Sequence, residues 1–419
     1  MKFTRIAVCL SVALVSCVSA ANAAESLFSV AGNRSQIAEP GELLRKAASD
    51  PANERIEIVS ARANLIAADT RVLSMSLPGG INVDARQTQF ERMESGNEVW
   101  IGQIDMGHEK LSRSDGLIPL DAALNNIIAV RSGNTLLANI RIEGQLYRLV
   151  PIDDGAHALI EVDQSKFLVD EDEKGYTQML RNSPRSDGAY AGFGPVAKAI
   201  STIRVMVAFG ASATAAVGNE QQAMDLAFAE ANQALSATNT DIRFQQAGAI
   251  RFYTQSESTN YSTMLNRLTN DADGFYDAIA GQRNSSTADI VAYVAPSSAS
   301  LCGQAAGIAT SSANAYFVMN HTCLSGNFTF VHEAGHVVGT RHDNDSTTSP
   351  FSYGHGFVMS SINRRTVMAV NNGPCSSCTR FGAFSSPNYT LSGVTIGTAS
   401  FNDNNRVWRS RGPTVAGFR

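Results

Sequence analysis

An α/β unit preceded by a mostly β unit is the fold class this sequence predicts, and three observations predict it. The chain has 419 residues, too many for one ordinary hydrophobic core. Period-2 alternation marks the first half, at Arg71–Leu77, Glu98–Ile104, Asn139–Val150 and Ala158–Val162, between Gly, Asp and Asn turns. Beyond Ile200, apolar strand-like runs alternate with segments of helical spacing. That is the pattern of an at least partly parallel sheet flanked by helices.

Residues 1–23 read as an export leader. Lys2 and Arg5 precede the apolar run Ile6–Val18, and Ala21-Asn22-Ala23 offers a small-x-small cleavage site. A rival reading is the lipoprotein-like box Leu14-Val15-Ser16-Cys17, which would keep the protein anchored through Cys17. No other stretch is long and apolar enough to span a bilayer. The β-rich unit covers residues 24–180. It holds His108 and His157 but no cysteine and no clustered metal ligands.

Residues 181–198 change character. Arg181-Asn-Ser-Pro-Arg-Ser-Asp-Gly188 and Gly192-Phe-Gly-Pro195 read as an exposed linker and the expected place of a maturation cut. The α/β unit follows at 199–419. Its expected strands are Ile203–Phe209, Ile242–Tyr253, Asp289–Val294 and Ala315–Asn320. Its expected helices are Asn219–Ala237, Tyr261–Ala280 and one beginning near Asn327. Gly303–Thr310 is a run of small residues between them.

Composition narrows the function classes. A 44% hydrophobic and 17% charged chain is not disordered. A net charge of −5 gives no reason to expect nucleic acid or an anionic membrane as partner. Of six cysteines, Cys9 and Cys17 lie in the leader. Cys302, Cys323, Cys375 and Cys378 remain, an even number in an exported chain. Three pairings are open, and 302–323 with 375–378 is favoured because each closes a local loop.

The chemistry concentrates in His332-Glu-Ala-Gly-His336-Val-Val-Gly339-Thr-Arg-His342-Asp343. On a helix from Phe328 to Val338, capped by Asn327, His332 and His336 stand four apart and project from one face. Gly339 can end the helix with φ > 0, and the returning chain can bring His342 to the same ion. Three nitrogen ligands leave one open position, the mark of a catalytic zinc rather than a structural one. Glu333 follows the first ligand and can act as general base without ligating. Three of seven histidines fall in this stretch. His355, within Gly354-His355-Gly356, is expected to be structural.

This extended pattern resembles the metzincin metallopeptidases, whose signature continues to a methionine turn; Met368 in Arg365-Thr-Val-Met-Ala-Val370 fits it. Within that group the chain is most similar to bacterial peptidyl-Asp metalloendopeptidases and reprolysin-like enzymes. The match is carried by Cys302-Gly-Gln-Ala-Ala-Gly307, Asp343, Phe384-Ser-Ser-Pro-Asn388 and Val415-Ala-Gly-Phe-Arg419. It covers residues 200–419. The upstream half resembles their propeptides only through Val99-Trp-Ile-Gly102 and Tyr147–Val162.

The resemblance implies a twisted mixed sheet with an active-site helix, one Zn2+, and hydrolysis of internal bonds in protein or peptide substrates by a secreted, monomeric enzyme. It places Met368 as an apolar floor under the ligands and the substrate extended along Gly303–Thr310. It makes Arg380–Gly397 a wall of the pocket beyond the scissile bond. Cutting before aspartate would require a cation there, and Arg364, Arg365, Arg380 and Arg406 are the candidates. Arg341, inside the motif, is equally readable as an exposed structural residue. The chain departs from relatives that place a tyrosine two residues after the methionine, since Val370 stands there. It also lacks a cysteine between Cys17 and Cys302, so a thiol latch is absent and a carboxylate or steric block would have to maintain latency. The alternative to an enzyme is an inactive zinc-binding homologue.

Overall fold

The computed structural model describes residues 25–32, 41–106, 118–152, 155–183, 199–295, 300–370, 375 and 377–419. The leader with Cys17, His108 and most of the 181–198 linker lie outside the described residues.

Upstream, ten strands form one sheet. Its two ends are successive pieces of one extended segment. Glu25–Ser26 pairs with Leu73–Ser74, while Phe28–Gly32 pairs with Ile58–Ala61. The sheet therefore closes on itself, which removes the exposed edges an open sheet would carry. Alternating residues fill its interior, among them Leu73, Met75, Trp100, Ile127, Ala129, Ile140 and Leu149. The sequence reading of Asn139–Val150 as one stretch is corrected: two strands, Thr135–Ile142 and Gln145–Pro151, pair antiparallel. Glu143 and Gly144 both have positive φ, the backbone of a two-residue hairpin turn.

The downstream unit is built on a central sheet ordered Ile242–Gln246, Ser201–Gly210, Ile290–Ala295, Tyr316–Asn320, Gly303–Ala305. All pairs in this order are parallel except the last. Val205, Val207 and Phe209 pack on one face with the helices Glu220–Ala237, Thr329–Val338 and Asn404–Val415. Met206 and Ala208 pack on the other with Tyr261–Thr269 and Ala278–Ser285. Period-2 strands buried on both faces read as continuous apolar runs, as at Ile290–Ala295.

Two expected elements are broken. Ile242–Tyr253 is two strands, Ile242–Gln246 and Arg251–Tyr253, parted where Gly248 takes a positive φ. Tyr261–Ala280 is two helices, parted by Asn270-Asp-Ala-Asp-Gly274, whose side chains bond to nearby backbone instead of continuing the helix. The helix at Glu220–Ala237 matches its expectation, with the Asn219 side chain accepting from the Gln222 N–H at 2.9 Å.

That helix is also the main seam between the units. Glu230, on its buried face, accepts from Arg141 Nη2 at 2.6 Å and from the Gly326 N–H at 2.8 Å. Asp225 accepts from Ser95 and Asn97. Val99, Ile128 and Val130 of the upstream sheet pack against Leu226. The chain leaves the upstream sheet after Val162, and Val169 then pairs with Leu301 next to the edge strand.

Candidate metal centre and active site

The site grows from the helix Thr329–Val338, all of whose residues are buried. Its start differs from expectation. Phe328, at φ 60°, is the capping residue and makes no side-chain cap. Asn327 does not cap because its amide faces Thr329 Oγ1 and Cys302 Sγ, and its carbonyl accepts from Arg380. The helix ends where expected: Gly339 has φ 124°, and a Cβ there would stand 2.8 Å from Phe351.

His332, His336 and His342 meet as the spacing implied. Their Nε2 atoms lie 3.2 Å from one another in all three pairs. Two of the rings are pinned from behind. His332 Nδ1 lies 2.9 Å from the Val367 carbonyl, and His336 Nδ1 lies 2.9 Å from the Thr340 carbonyl. A carbonyl accepts only, so each Nδ1 must donate and each Nε2 is left as an inward lone pair. With these two lone pairs turned inward and His342 Nε2 3.2 Å from each, the three nitrogens converge on a position suited to a cation. The spacing also fits a tetrahedral zinc, whose ~2.05 Å Zn–N bonds give ligand separations of roughly 3.3 Å. The donor set therefore fits such an ion.

A fourth donor was not anticipated. Glu171 Oε1 lies 2.9 Å from His336 Nε2 and 3.2 Å from His332 Nε2, and Oε2 lies 3.1 Å from His342 Nε2. These four side chains form the one candidate metal-binding group among the described residues. Burial opposes the Glu171 charge, but positive charge held among His342, His332 and His336 outweighs it and keeps the carboxyl well below its ordinary range. Tyr176, on the adjoining helix Glu173–Arg181, stacks on His342 with centroids 4.1 Å apart. It also donates from its hydroxyl to Asp345.

The segment carrying Glu171 lies along the edge of the sheet. The Cys302 N–H donates to the Val169 carbonyl at 2.8 Å and the Gly303 N–H to the Asp170 carbonyl at 3.1 Å. The Asp170 carboxylate receives both terminal nitrogens of Arg380, one at 2.8 Å, and Arg365 stands 3.8 Å away. Burial opposes this charge too, yet Arg380, His332 and Arg365 hold its pKa down to about 2.

Glu333 is fully buried and neither of its oxygens finds a donor among the described residues. Burial first, then the facing carboxylates of Glu171 and Asp170, push it well above the ordinary glutamate value. A Cβ on Gly303 would stand 2.5 Å from Glu333 Oε1, so only glycine lets the edge strand pass so close.

The other expected residues fall as follows. Met368 lies under the helix, its sulfur 2.8 Å from where a Gly335 Cβ would be. Asp343 accepts from the Val370 N–H at 2.9 Å, tying the motif to the methionine turn. Cys302–Cys323 and Cys375–Cys378 are both disulfides. His355 bonds through both ring nitrogens to the Phe401 and Thr347 carbonyls, a structural role. Of the arginine candidates, Arg364 bonds to the Glu143 carbonyl and Arg406 lies over Tyr353; neither joins the site. Arg341 is buried rather than exposed, donating to Phe351 and Thr347.

Comparison with known proteins agrees with this geometry. Residues 200–385 match the model of metallo-peptidase family M12. A peptidyl-Asp metalloendopeptidase of Xanthomonas campestris pv. campestris is 36% identical over 91% of this chain and 89% of its own length. One of Stenotrophomonas maltophilia is 36% identical over 81% of each chain. One of Pseudomonas fragi is 39% identical over 23% of this chain and 62% of its own. Similarity of that extent, reaching into the upstream unit, makes this chain a metalloendopeptidase and a member of the family these bacterial enzymes form.

Proposed function

We propose that this chain is the precursor of a secreted zinc endopeptidase that cleaves on the N-terminal side of aspartate. In this reading residues 1–23 direct export, 24–180 form a propeptide unit, and a cut within 181–198 yields the catalytic unit 199–419. The observation that carries it is the meeting of His332, His336 and His342 Nε2 at 3.2 Å with the Glu333 carboxylate unpaired beside them. The preference for aspartate is supported by the relatives, which are named peptidyl-Asp metalloendopeptidases.

His332, His336 and His342 would hold the Zn2+, which when bound supplies Lewis-acid polarisation and lowers the pKa of an attacking water. The edge strand Gly303–Ala305 offers its backbone to an extended substrate. Gly303 brings that backbone against Glu333. Glu333 takes the proton from the attacking water and delivers it to the leaving amine. The pinned Nδ1 atoms keep the His332 and His336 rings from turning. Glu171 takes the remaining donor position, so the precursor is silent by occupation of the site.

The test uses the whole chain, matured by a cut between residues 183 and 199 and supplied with one equivalent of zinc. Cleavage of a denatured protein should be chelator-sensitive and lost in Glu333→Gln, with mapped cuts clustered before aspartate. Chelator-resistant cleavage would overturn the metal reading, and cuts without regard to aspartate would overturn the specificity.

A further inference from the structure

We propose that Arg380, backed by Arg365, reads the acidic side chain of the substrate, and that Asp170 occupies its pocket in the precursor as a surrogate for that side chain. This rests on the endopeptidase reading above and deepens it by assigning the specificity residue.

The first support is charge. Arg380 and Arg365 are both buried. Among the described residues Asp170 is the one carboxylate in ion-pair range of either, and it belongs to the upstream side of the maturation segment. Removing that side takes this carboxylate away from both guanidinium groups, an arrangement that favours entry of another. The guanidinium groups do not collapse onto other acids, because backbone carbonyls hold them. Arg380 donates to Asn327 O at 3.0 Å and Ala369 O at 3.1 Å, and Arg365 donates to Cys378 O at 3.0 Å. The pocket is thus built before its ligand arrives.

The second support is position. The Asp170 backbone bonds to Gly303, the residue that abuts Glu333. Its neighbour Glu171 reaches the three histidines. A side chain entering the Arg380 pocket from the edge strand therefore belongs to a residue flanking the reacting centre. The third support is reach. From a backbone bonded to the edge strand, an aspartate meets both terminal nitrogens of Arg380. A glutamate carries one methylene more and an asparagine lacks the charge, so a planar two-pronged site of fixed depth discriminates against both.

The experiment compares the whole chain, matured as above, as wild type, Arg380→Lys and Arg380→Gln, on peptides differing only in Asp, Asn or Glu at the position after the scissile bond. Wild type should prefer Asp over Asn by about 100-fold or more in kcat/KM. Arg380→Gln should lower Asp cleavage far more than Asn cleavage, shrinking the Asp-over-Asn preference to about threefold or less, and Arg380→Lys should fall between. An equal fall on all peptides, or an Asp preference that survives, overturns the proposal. Should the variants misfold, wild type decides alone: a product peptide beginning with Asp should inhibit at least about tenfold better than its Asn twin, and equal inhibition overturns the proposal. Failure of the underlying reading looks different, since no peptide of any kind would then be cut by the zinc-loaded enzyme.

Discussion

Glu171 Oε1 stands 2.9 Å from His336 Nε2, although the two residues are 165 positions apart and lie on opposite sides of segment 181–198. A carboxylate delivered by the upstream unit thus completes a four-donor group, and a closed group leaves no position for an attacking water. Replacing it should reopen the site without any cut. Glu171→Ala in the full chain should raise peptide cleavage by the unprocessed precursor by about 10- to 100-fold, the range of one lost charge-assisted contact. Cleavage is followed while gel electrophoresis confirms that the chain is intact. A precursor that stays silent until nicked would assign latency to steric cover, with Tyr176 over His342 as the first suspect.

Glu333 separates metal binding from chemistry. Its oxygens contact none of the three imidazoles, and it is not part of the metal-binding group. Glu333→Gln keeps the volume and should bind zinc at the wild-type stoichiometry by metal analysis, while kcat falls by about 10²- to 10⁴-fold, the usual worth of a general base. Loss of zinc together with activity would instead make Glu333 a structural support of the site.

The meeting of the histidines and the helix end at Gly339 were legible because the i, i+4 spacing of His332 and His336 and a glycine at positive φ are local rules that need no knowledge of the rest of the chain, whereas Met368 could be singled out only through the resemblance. Glu171 and Asp170 were not legible. Their only local signal is the acidic run Asp170-Glu-Asp-Glu173 beside the linker, which reads as a solvated stretch until the sheet edge is present to receive it. Arg380 could be named only as one of four arginines, since what sets it apart is the pairing with Asp170 across 210 positions. The fold divides in the same way. Strand and helix types were readable from periodicity, whereas the closure of the upstream sheet through Glu25–Gly32 depends on register between distant strands. Asn327 misled because a side chain suited to capping was drawn instead to Thr329, Cys302 and Arg380.

Arg141 and Glu230 form a buried ion pair between the two units, both side chains 2% exposed. Such a pair gives little net stability when intact, but removing one partner strands the other charge in the interior. Glu230→Gln should therefore lower the stability of the full chain by about 3–5 kcal/mol in denaturant unfolding. It should also speed release of the upstream unit after nicking, because the Gly326 N–H and Arg148–Ser325 contacts adjoin the same point. Size-exclusion chromatography of the nicked complex reads the release. An unchanged denaturation midpoint with unchanged release would mean that the apolar seam around Leu226 carries the interface alone.

Asp403 makes stability depend on pH away from the active site. It caps the helix Asn404–Val415, its carboxylate accepting from the Arg406 N–H at 3.2 Å. Burial, only partly offset by that bond and by the charges of Arg406 and Arg409, raises its pKa to about 6 from 3.8. The folded state therefore holds this proton more tightly than the unfolded state. Between roughly pH 4 and 6 the native chain binds more protons than the unfolded chain, and the contribution of Asp403 falls as pH rises through that window. A shift of about two units corresponds to at most about 3 kcal/mol. Asp403→Asn keeps an acceptor for the cap and removes the titration. Its unfolding midpoint relative to wild type should rise steadily from pH 4 to pH 7, measured by thermal melts in matched buffers of equal ionic strength. A difference that stays constant across that range would mean that the folded and unfolded chains hold the Asp403 proton equally, and that the cap is solvated in solution.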